Sequence, residues 1–364
     1  MSDSTFGFIG LGLIGGSIAR GLRRANKDIT IMAYMRTRSK LEQAKADGTI
    51  DMILDGIDET LSACDVIFLC TPVEYNAVYL EKVRPFLKPG ALITDIGSTK
   101  TDIHQAVERL GYEDVFVGGH PMAGSEKTGY ESSTDHLLEN AYYIITPTKK
   151  STPEQIGRIR QVALAIGALP IVLDYHEHDF SVAAISHLPH LVASSLVNLV
   201  HDNDSKDEIM KRLAAGGFKD ITRIASSSPV MWEQICMTNT ENILVLLKRY
   251  ITSLESICDT LENHNGDAIY KMFEESGKYR STFPNRGQGP IERDYSFCVD
   301  VLDEPGSISV LSAILAAKGI SVKNIGINHS REEGEGALRI SFYKEDKKNE
   351  AAELLRSHNY VLTK

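Results

Sequence analysis

The chain has 364 residues, 42% of them apolar and 24% charged, and a formal net charge of −10 at pH 7. This length exceeds the size at which one hydrophobic core usually keeps growing, so we expect two or three domains. The acidic balance, without any block of Lys and Arg, argues against a nucleic-acid partner, and the mixed composition argues against disorder.

Cysteine spacing and hydropathy indicate the cellular compartment of the protein. The five cysteines form no C-x-x-C pair and no even-numbered framework, which indicates reduced thiols and argues against a metal site. A strand-like segment begins at Thr5 with no signal-peptide pattern before it, and no apolar run approaches the roughly 18 residues of a membrane helix. We therefore expect a cytoplasmic protein with no membrane partner.

Short apolar runs alternate with amphipathic helical patterns over residues 1–174. The predicted strands are 5–9, 29–34, 66–70, 92–96, 115–117, 142–146 and 171–173, with helices such as 15–24 and 154–166 between several of them. This alternation predicts an α/β domain with a mostly parallel sheet covered on both faces.

A glycine motif follows the first predicted strand. The stretch FGFIGLGLIGGSIARGL places Gly10, Gly12 and Gly15 in the pattern G-x-G-x-x-G, with Leu13 and Ile14 opening the next helix. Such glycines allow a tight turn, close approach of a pyrophosphate to the backbone, and helix-to-sheet packing. The motif predicts a Rossmann-type domain that binds NAD or NADP.

The second strand ends without the acid that usually binds the adenosine ribose. In AYMRTRSK, Met35 stands where that acid is expected, and Arg36 and Arg38 are beside it. An arginine there can accommodate a 2′-phosphate or stack on adenine, so NADP joins NAD as a candidate cofactor. The alternative is that both arginines are solvated surface residues.

Three polar segments follow later strands, and the carboxyl ends of parallel strands are where a nicotinamide lies in this fold. They are TPVEYN at 71–76, GSTKTD at 97–102 and GGHPMAGSEKTGY at 118–130. We expect Thr71 and Pro72 to contact the cofactor. Beyond Val117 the third segment fits neither a strand nor a helix period, so we interpret it as a turn.

Long helical patterns occupy residues 175–280. The run SVAAISHLPHLVASSLVNLVH is apolar on nearly all sides, which predicts either burial in a large core or a helical interface between two copies of the chain. Residues 278–294 combine Pro, Gly and charge without periodicity and are predicted to be a linker. Residues 294–364 read as strand, helix, two strands, helix and strand, the βαββαβ order of a ferredoxin-like domain.

These motifs together resemble a known family. The segments HPMAGSE, SHLPH at 186–190 and FKDITRIASSSPVMW at 218–232 are similar to those of prephenate dehydrogenase, and the DEPGSISVL turn resembles an ACT regulatory domain. The resemblance covers nearly the whole chain. It implies oxidative decarboxylation of prephenate to 4-hydroxyphenylpyruvate, with hydride transfer to the nicotinamide.

The resemblance also implies catalytic roles for three residues. His120 would accept the proton of the substrate hydroxyl, which becomes more acidic as hydride leaves. Ser98 would hydrogen-bond that hydroxyl or His120, and His187 would help to bind the substrate, while His190 would pack beside it. No metal is required.

Substrate binding is assigned in the same way. Arg223 matches the arginine that pairs with a carboxylate of the dianionic substrate, although an ion pair with Asp220 is the structural alternative. Ser125 and Glu126 end the histidine motif, and Glu126 is best read as a gate over the cavity.

The ACT resemblance implies an amino-acid effector, L-tyrosine. Its site would lie at Pro305 and Gly306, facing Asn324 and Ile325, unless the unit is only a structural or dimerising module. The open alternatives for the whole chain are arogenate dehydrogenase, a β-hydroxyacid or imine reductase, and a sensor without catalysis. The SHLPH and DITRIAS segments argue against the reductase.

Overall fold

The computed structural model describes residues 4–124, 127–283, 295–301, 304–327 and 338–363. The chain divides into two units, Met1–Phe283 and Pro284–Lys364. The first unit contains both the predicted nucleotide-binding residues and the predicted helical residues. Each of the five cysteines, all of which are described, is a free thiol.

Strands and helices alternate in the first half of this unit. The strands are β1 (Thr5–Ile9), β2 (Thr30–Tyr34), β3 (Met52–Ile53), β4 (Val66–Leu69), β5 (Leu92–Asp95), β6 (Val117–Pro121), β7 (Tyr142–Pro147) and β8 (Leu169–Val172). The helices are α1 (Leu13–Ala25), α2 (Arg38–Ala46), α3 (Val73–Val83), α4 (Thr101–Leu110), α5 (Pro153–Ala165), α6 (Tyr175–Val182), α7 (Leu188–Asn203), α8 (Ile209–Leu213), α9 (Gly216–Thr222), α10 (Pro229–Thr238), α11 (Thr240–Glu262) and α12 (Gly266–Ser281).

The first five strands form a parallel sheet in the order β3-β2-β1-β4-β5. Residues of β4 and β5 are buried along their whole length, because helices cover both faces of the sheet. Phe8 and Phe68 stack at 4.8 Å between ring centroids within one of the two cores. This order matches the first five strands of the doubly wound Rossmann sheet, 3-2-1-4-5-6, as the glycine motif predicts.

A second sheet, ordered β6-β7-β8, begins where the first one ends. Phe116 pairs with Ile93 of β5, and β6 then runs antiparallel to β7. The prediction of a strand at 115–117 followed by a turn is wrong: the strand spans Val117–Pro121 and therefore includes His120. The buried ion pair of Asp95 and Lys100 holds this backbone, because Gly119 N donates to Asp95 Oδ1 at 3.2 Å and Lys100 Nζ donates to Gly119 O at 2.8 Å.

Helices make up the rest of the first unit. A π-helical turn, Ala183–His187, joins α6 to α7. The expectation that no apolar run approaches the length of a membrane helix is wrong, because the stretch Tyr175–Asn203 is long and apolar enough to cross a membrane by length and composition alone. A core helix of a soluble protein passes the same test, and this stretch packs against α11. Only Ala193 of α7 is buried. The predicted linker begins too early, because α12 continues to Ser281.

The second unit has its own sheet and core. Its elements are β9 (Tyr295–Val299), α13 (Ser307–Ala317), β10 (Val322–Ile327), β11 (Leu338–Phe342), α14 (Glu345–Ser357) and β12 (Leu362–Thr363). The antiparallel sheet has the order β10-β11-β9-β12, and both helices pack on it through Leu311, Leu315 and Leu355. The element order is βαββαβ.

Candidate active site

A cavity of about 340 Å³ lies between the carboxyl end of β6 and the helical residues. Four side chains from separate parts of the chain line it: Ser98 after β5, His120 on β6, His187 in the π-helical turn, and Arg223 after α9. The structure thus brings together one hydroxyl, two imidazoles and one guanidinium. The two that are farthest apart in sequence, Ser98 and Arg223, are separated by 125 positions. Ser125 and Glu126 lie outside the described residues, while their neighbours Ala123 and Gly124 line the same cavity.

His120 is bonded to a second histidine that sequence reasoning missed. Its Nδ1 lies 2.8 Å from Nε2 of His178, and Nδ1 of His178 lies 2.7 Å from Oδ1 of Asp179. Because the carboxylate can only accept, His178 Nδ1 carries a proton and donates it to Asp179. Ser98 makes no hydrogen bond to His120 or to any other described residue, so its hydroxyl is available to a bound molecule.

Asp179 is completely buried yet ionised. Burial works to raise the pKa of its carboxyl, but the hydrogen bonds from His178 and Thr101 outweigh burial and hold the pKa below the usual value. The backbone N–H groups of Lys100 and Thr101 donate to the carboxylate at 2.8 and 2.7 Å, and the Thr101 hydroxyl donates at 2.6 Å. Asp179 therefore caps the N-terminus of α4 while it anchors His178.

His120 is neutral at neutral pH. Burial lowers the pKa of the imidazole well below its usual value, and the nearby Lys100 ammonium lowers it further. A neutral imidazole can accept a proton, which is the property that a general base needs.

His187 has a different hydrogen-bond partner and a different role. The amide Nδ2 of Asn239 donates to Nδ1 of His187 at 3.1 Å and to the backbone oxygen of Asp179 at 2.8 Å. Nδ1 is therefore an acceptor, so the ring proton is on Nε2, and burial lowers the pKa of His187 to about 4. His187 is a neutral hydrogen-bond donor, held by a π-helical turn of the kind often found at functional sites.

An aromatic pair forms one wall of the cavity. His190 stacks on Trp232 with ring centroids 3.7 Å apart, and His190 Nδ1 donates to the backbone oxygen of Ser186 at 2.8 Å. Trp232 Nε1 is buried and has no hydrogen-bond partner within the part of the chain that the structure describes. Both rings line the cavity, so His190 is packed beside His187 and also reaches the site.

The glycine motif has the shape of a dinucleotide site. Gly10 has φ of +92°, and a Cβ there would lie 2.7 Å from the backbone oxygen of Cys70. A Cβ on Gly12 would meet nothing within 4 Å, so the space in front of this residue is open. Gly12 caps α1, whose first turn, containing Leu13, Ile14 and Gly15, has no acidic residue. Free backbone N–H groups at such a helix start suit a pyrophosphate.

The segment after β4 adds a second indication of a bound group. Thr71 precedes Pro72, the N-cap of α3, and its hydroxyl donates to Asn76 Oδ1 at 2.8 Å. The Asn76 Nδ2 donor is buried and has no partner among the described residues. An orphaned buried donor costs roughly 1–3 kcal/mol, so a ligand that accepts from it would relieve that cost.

The two arginines near the missing acid differ. Arg38 pairs with Asp55 and with Glu42, whereas Arg36 is exposed and makes no hydrogen bond or ion pair with any described residue. Arg36 is therefore the one that can reach a cofactor phosphate without breaking a bond. The predicted effector residues lie in the second unit: Pro305 and Gly306 are exposed at the start of α13, Asn324 is exposed on β10, and Ile325 packs on the core.

Comparisons with known proteins bear on this site. The family model described as prephenate dehydrogenase, nucleotide-binding domain, matches residues 18–172, and that described as prephenate dehydrogenase, dimerization domain, matches residues 174–275. Prephenate dehydrogenase of Bacillus subtilis is 37% identical over 350 residues, which cover 96% of this chain and 94% of that protein.

Two solved structures are similar in fold. Prephenate dehydrogenase from Aquifex aeolicus, in complex with hydroxyphenyl propionate and NAD+, has a TM-score of 0.72 and 30% identity over 77% of this chain and 98% of its own. Arogenate dehydrogenase from Synechocystis has a TM-score of 0.70 and 30% identity over 77% of this chain and 100% of its own. The resemblance of the HPMAGSE, SHLPH and DITRIAS segments to prephenate dehydrogenase is thus confirmed, and the chain belongs to the prephenate dehydrogenase family of NAD(P)-dependent oxidoreductases.

Proposed function

We propose that the protein converts prephenate to 4-hydroxyphenylpyruvate by oxidative decarboxylation, with His120 as the general base. The observation that carries the proposal is a neutral imidazole, in a cavity that also holds the Arg223 guanidinium and the Ser98 hydroxyl. A bound nicotinamide supplies the hydride acceptor. The residues of the chain need only orient the substrate, take one proton from its hydroxyl and return it after carbon dioxide has left.

His120 acts on the hydroxyl of the ring carbon that loses hydride. As the C–H electron pair departs, the O–H proton moves to the imidazole and its bond electrons form the carbonyl, so a base in hydrogen-bond reach favours hydride loss. Loss of carbon dioxide then sends the electrons of the broken C–C bond through the ring to the carbonyl oxygen, which takes the proton back from His120 and leaves the aromatic phenol. Ser98 has a hydroxyl without a partner among the described residues, and it fits a role in orienting the substrate oxygen.

Charge recognition falls to Arg223, the guanidinium on the cavity wall. A planar guanidinium binds a carboxylate through two parallel hydrogen bonds. His187 offers a neutral N–H donor in the same cavity and suits a second oxygen of the substrate. Ser125 and Glu126 follow the lining residues Ala123 and Gly124, which supports their assignment to substrate binding, with Glu126 as a gate.

Replacing His120 by Asn tests the proposal. Asn keeps a polar side chain but accepts no proton, so kcat should fall roughly 10²- to 10⁴-fold while substrate affinity changes little. The measurement is the absorbance of reduced nicotinamide with prephenate as substrate. Activity of the variant within a factor of two of the unmodified protein would refute His120 as the base.

Arogenate is the second candidate substrate, because a similar structure belongs to an arogenate dehydrogenase. Arogenate carries an amine in place of the keto group, and the ring chemistry is unchanged. The ratio of kcat/KM for the two substrates in the same assay decides between them.

We also propose that NADP is accepted alongside NAD. Met35 offers no carboxylate to a ribose, and exposed Arg36 can pair with a 2′-phosphate. Arg36→Ala should then reduce kcat/KM for NADP and spare that for NAD, with Arg38→Ala as the matched control. An equal fall in kcat/KM with both cofactors would show that Arg36 does not recognise the 2′-phosphate.

Regulation and assembly complete the proposal. The βαββαβ unit supports an ACT domain that binds L-tyrosine at Pro305, Gly306, Asn324 and Ile325. The family model of the helical residues is that of a dimerization domain, which supports a homodimer. Such a biosynthetic enzyme would work in the cytoplasm.

A further inference from the structure

A histidine can serve as a base only at the nitrogen that carries no proton, so the tautomer of His120 decides whether the site is active. We propose that His178 and Asp179 are positioning residues that hold His120 with its proton on Nδ1 and its lone pair on Nε2. This inference rests on the proposed role of His120 as the general base.

The Asp179 carboxylate fixes the direction of the hydrogen bonds that lead to His120. The Asp179 carboxylate accepts four hydrogen bonds. The donors are the His178 ring, the backbone N–H of Lys100, and the backbone N–H and hydroxyl of Thr101. Its lone pairs all face donors, so it stays ionised and fixes the proton of His178 on Nδ1. A neutral His178 then presents a bare Nε2, 2.8 Å from Nδ1 of His120.

The bare Nε2 of His178 determines which ring nitrogen of His120 carries the proton. One of two nitrogens at hydrogen-bond distance must donate, and since His178 Nε2 is bare, His120 Nδ1 carries the proton. Nε2 of His120 is therefore the proton acceptor. The opposite arrangement needs a charged His178, which is 1% exposed, in a region that already holds the buried Lys100 ammonium.

The pair also serves the protonated state. When His120 takes a proton on Nε2, its Nδ1–H bond to His178 becomes charge-assisted and therefore stronger. The other groups around His120 are Lys100, His187 and Arg223, which lines the same cavity, and two of the three are cations. Asp95 is already bonded to Lys100, so Asp179 is the acid that offsets the new charge, through His178.

Two amides at position 178 separate the functions of the ring. Glutamine places an oxygen near the position of Nε2 and keeps an acceptor for His120, whereas asparagine places its nitrogen near the position of Nδ1 and keeps only the donor to Asp179. We expect His178→Gln to retain kcat within about 10-fold and His178→Asn to lose about 10²-fold or more, with substrate and cofactor affinities unchanged in both. Near-normal kcat in His178→Asn, or equal loss in both variants, would overturn the proposal.

A spectroscopic readout on the unmodified protein keeps the test independent of folding. Long-range ¹H–¹⁵N correlation of ¹⁵N-histidine, assigned with His120→Asn, reports which ring nitrogen is protonated. We expect Nδ1 to be protonated in His120, and a proton on Nε2 would reject the inference even if both variants fail to fold. If His120→Asn is inactive while His178→Asn is normal, the positioning role fails and the general base stands. Normal activity in both His120→Asn and His178→Asn would refute the general base and the positioning role together.

Discussion

At the scale of single residues, the cavity contains two neutral histidines with opposite hydrogen-bonding roles. His120 donates through Nδ1 to His178, and His187 accepts at Nδ1 from Asn239. Both chains of hydrogen bonds meet at Asp179, one at its carboxylate and the other at its backbone oxygen. One imidazole is thus prepared to take a proton and the other to give a hydrogen bond.

The lowered pKa of His120 predicts the pH dependence of the reaction. A base works in its deprotonated form, so activity is lost only as pH falls through the pKa of the free protein. Because burial and the nearby Lys100 ammonium lower that pKa, we expect the acidic limb of kcat/KM for prephenate to lie below pH 6.5, the ordinary value for histidine. The measurement is kcat/KM between pH 4 and pH 8 at constant ionic strength, and a limb centred at pH 6.5 or above would contradict it.

Sequence motifs predicted the cavity residues His120, Ser98, His187 and Arg223, but not the residues behind them. The bonds that join His120 to His178 and Asn239 to His187 span 58 and 52 residues of sequence. The segment YHEHD contains His178 and Asp179 and is visibly rich in ionisable groups, yet no spacing rule pairs it with a strand so far away. Such partners emerge only when α6 packs beside β6.

At the scale of elements, contacts between distant parts of the sequence also explain why the bounds of β6 were predicted wrongly. Glycine is a weak strand former, so VGGHP looked like a turn. The two glycines are instead sites of close approach, since a Cβ on Gly118 would lie 2.2 Å from Thr146 Oγ1. The parallel sheet, in contrast, followed directly from continuous apolar runs, because its strands are buried on both faces.

Replacing Gly119 by Ala tests the tight packing of β6. The added Cβ would lie 2.7 Å from Tyr143 Oη and 2.8 Å from the backbone oxygen of Asp95, which cannot move freely. We expect the free energy of unfolding to fall by about 1–3 kcal/mol, and kcat to fall with it as His120 shifts. Denaturant unfolding measures the first effect.

Gly124→Ala is the matched control, because a Cβ at that position meets nothing within 4 Å. Its free energy of unfolding should stay within about 0.5 kcal/mol of the unmodified protein. Equal stability of the two variants would show that β6 accepts a side chain at Gly119.

At the scale of the whole molecule, the separate core of the second unit suits a regulatory role. We expect L-tyrosine to inhibit the full chain, and Gly306→Ala to raise the inhibitory concentration at least 10-fold without changing uninhibited activity. Gly306 has φ of +98° at the predicted effector turn, so an alanine distorts it. Inhibition is measured as initial rate against tyrosine concentration.

Gly319→Ala is the control, since Gly319 also has a positive φ, +66°, but follows the other end of α13. Both variants introduce similar backbone strain, and only the first lies at the effector turn. Absence of inhibition in the full chain, or the same loss of response in both variants, would leave the unit a structural module.

Assembly is predicted by the apolar surface of the helical residues. Most of the large apolar side chains that are exposed in the described residues lie between α6 and α12, among them Leu199 of α7 at 59% exposure. Such a surface is unusual for a monomer, and a second copy of the chain would cover it.

We expect sedimentation to give the mass of two chains, and Leu199→Glu to weaken the dimer at least 10-fold, because a carboxylate in an apolar interface is costly. Leu164→Glu on α5, at 54% exposure, should leave the dimer intact. A mass equal to one chain for the unmodified protein would exclude the dimer, and equal effects of the two substitutions would exclude α7 from its interface.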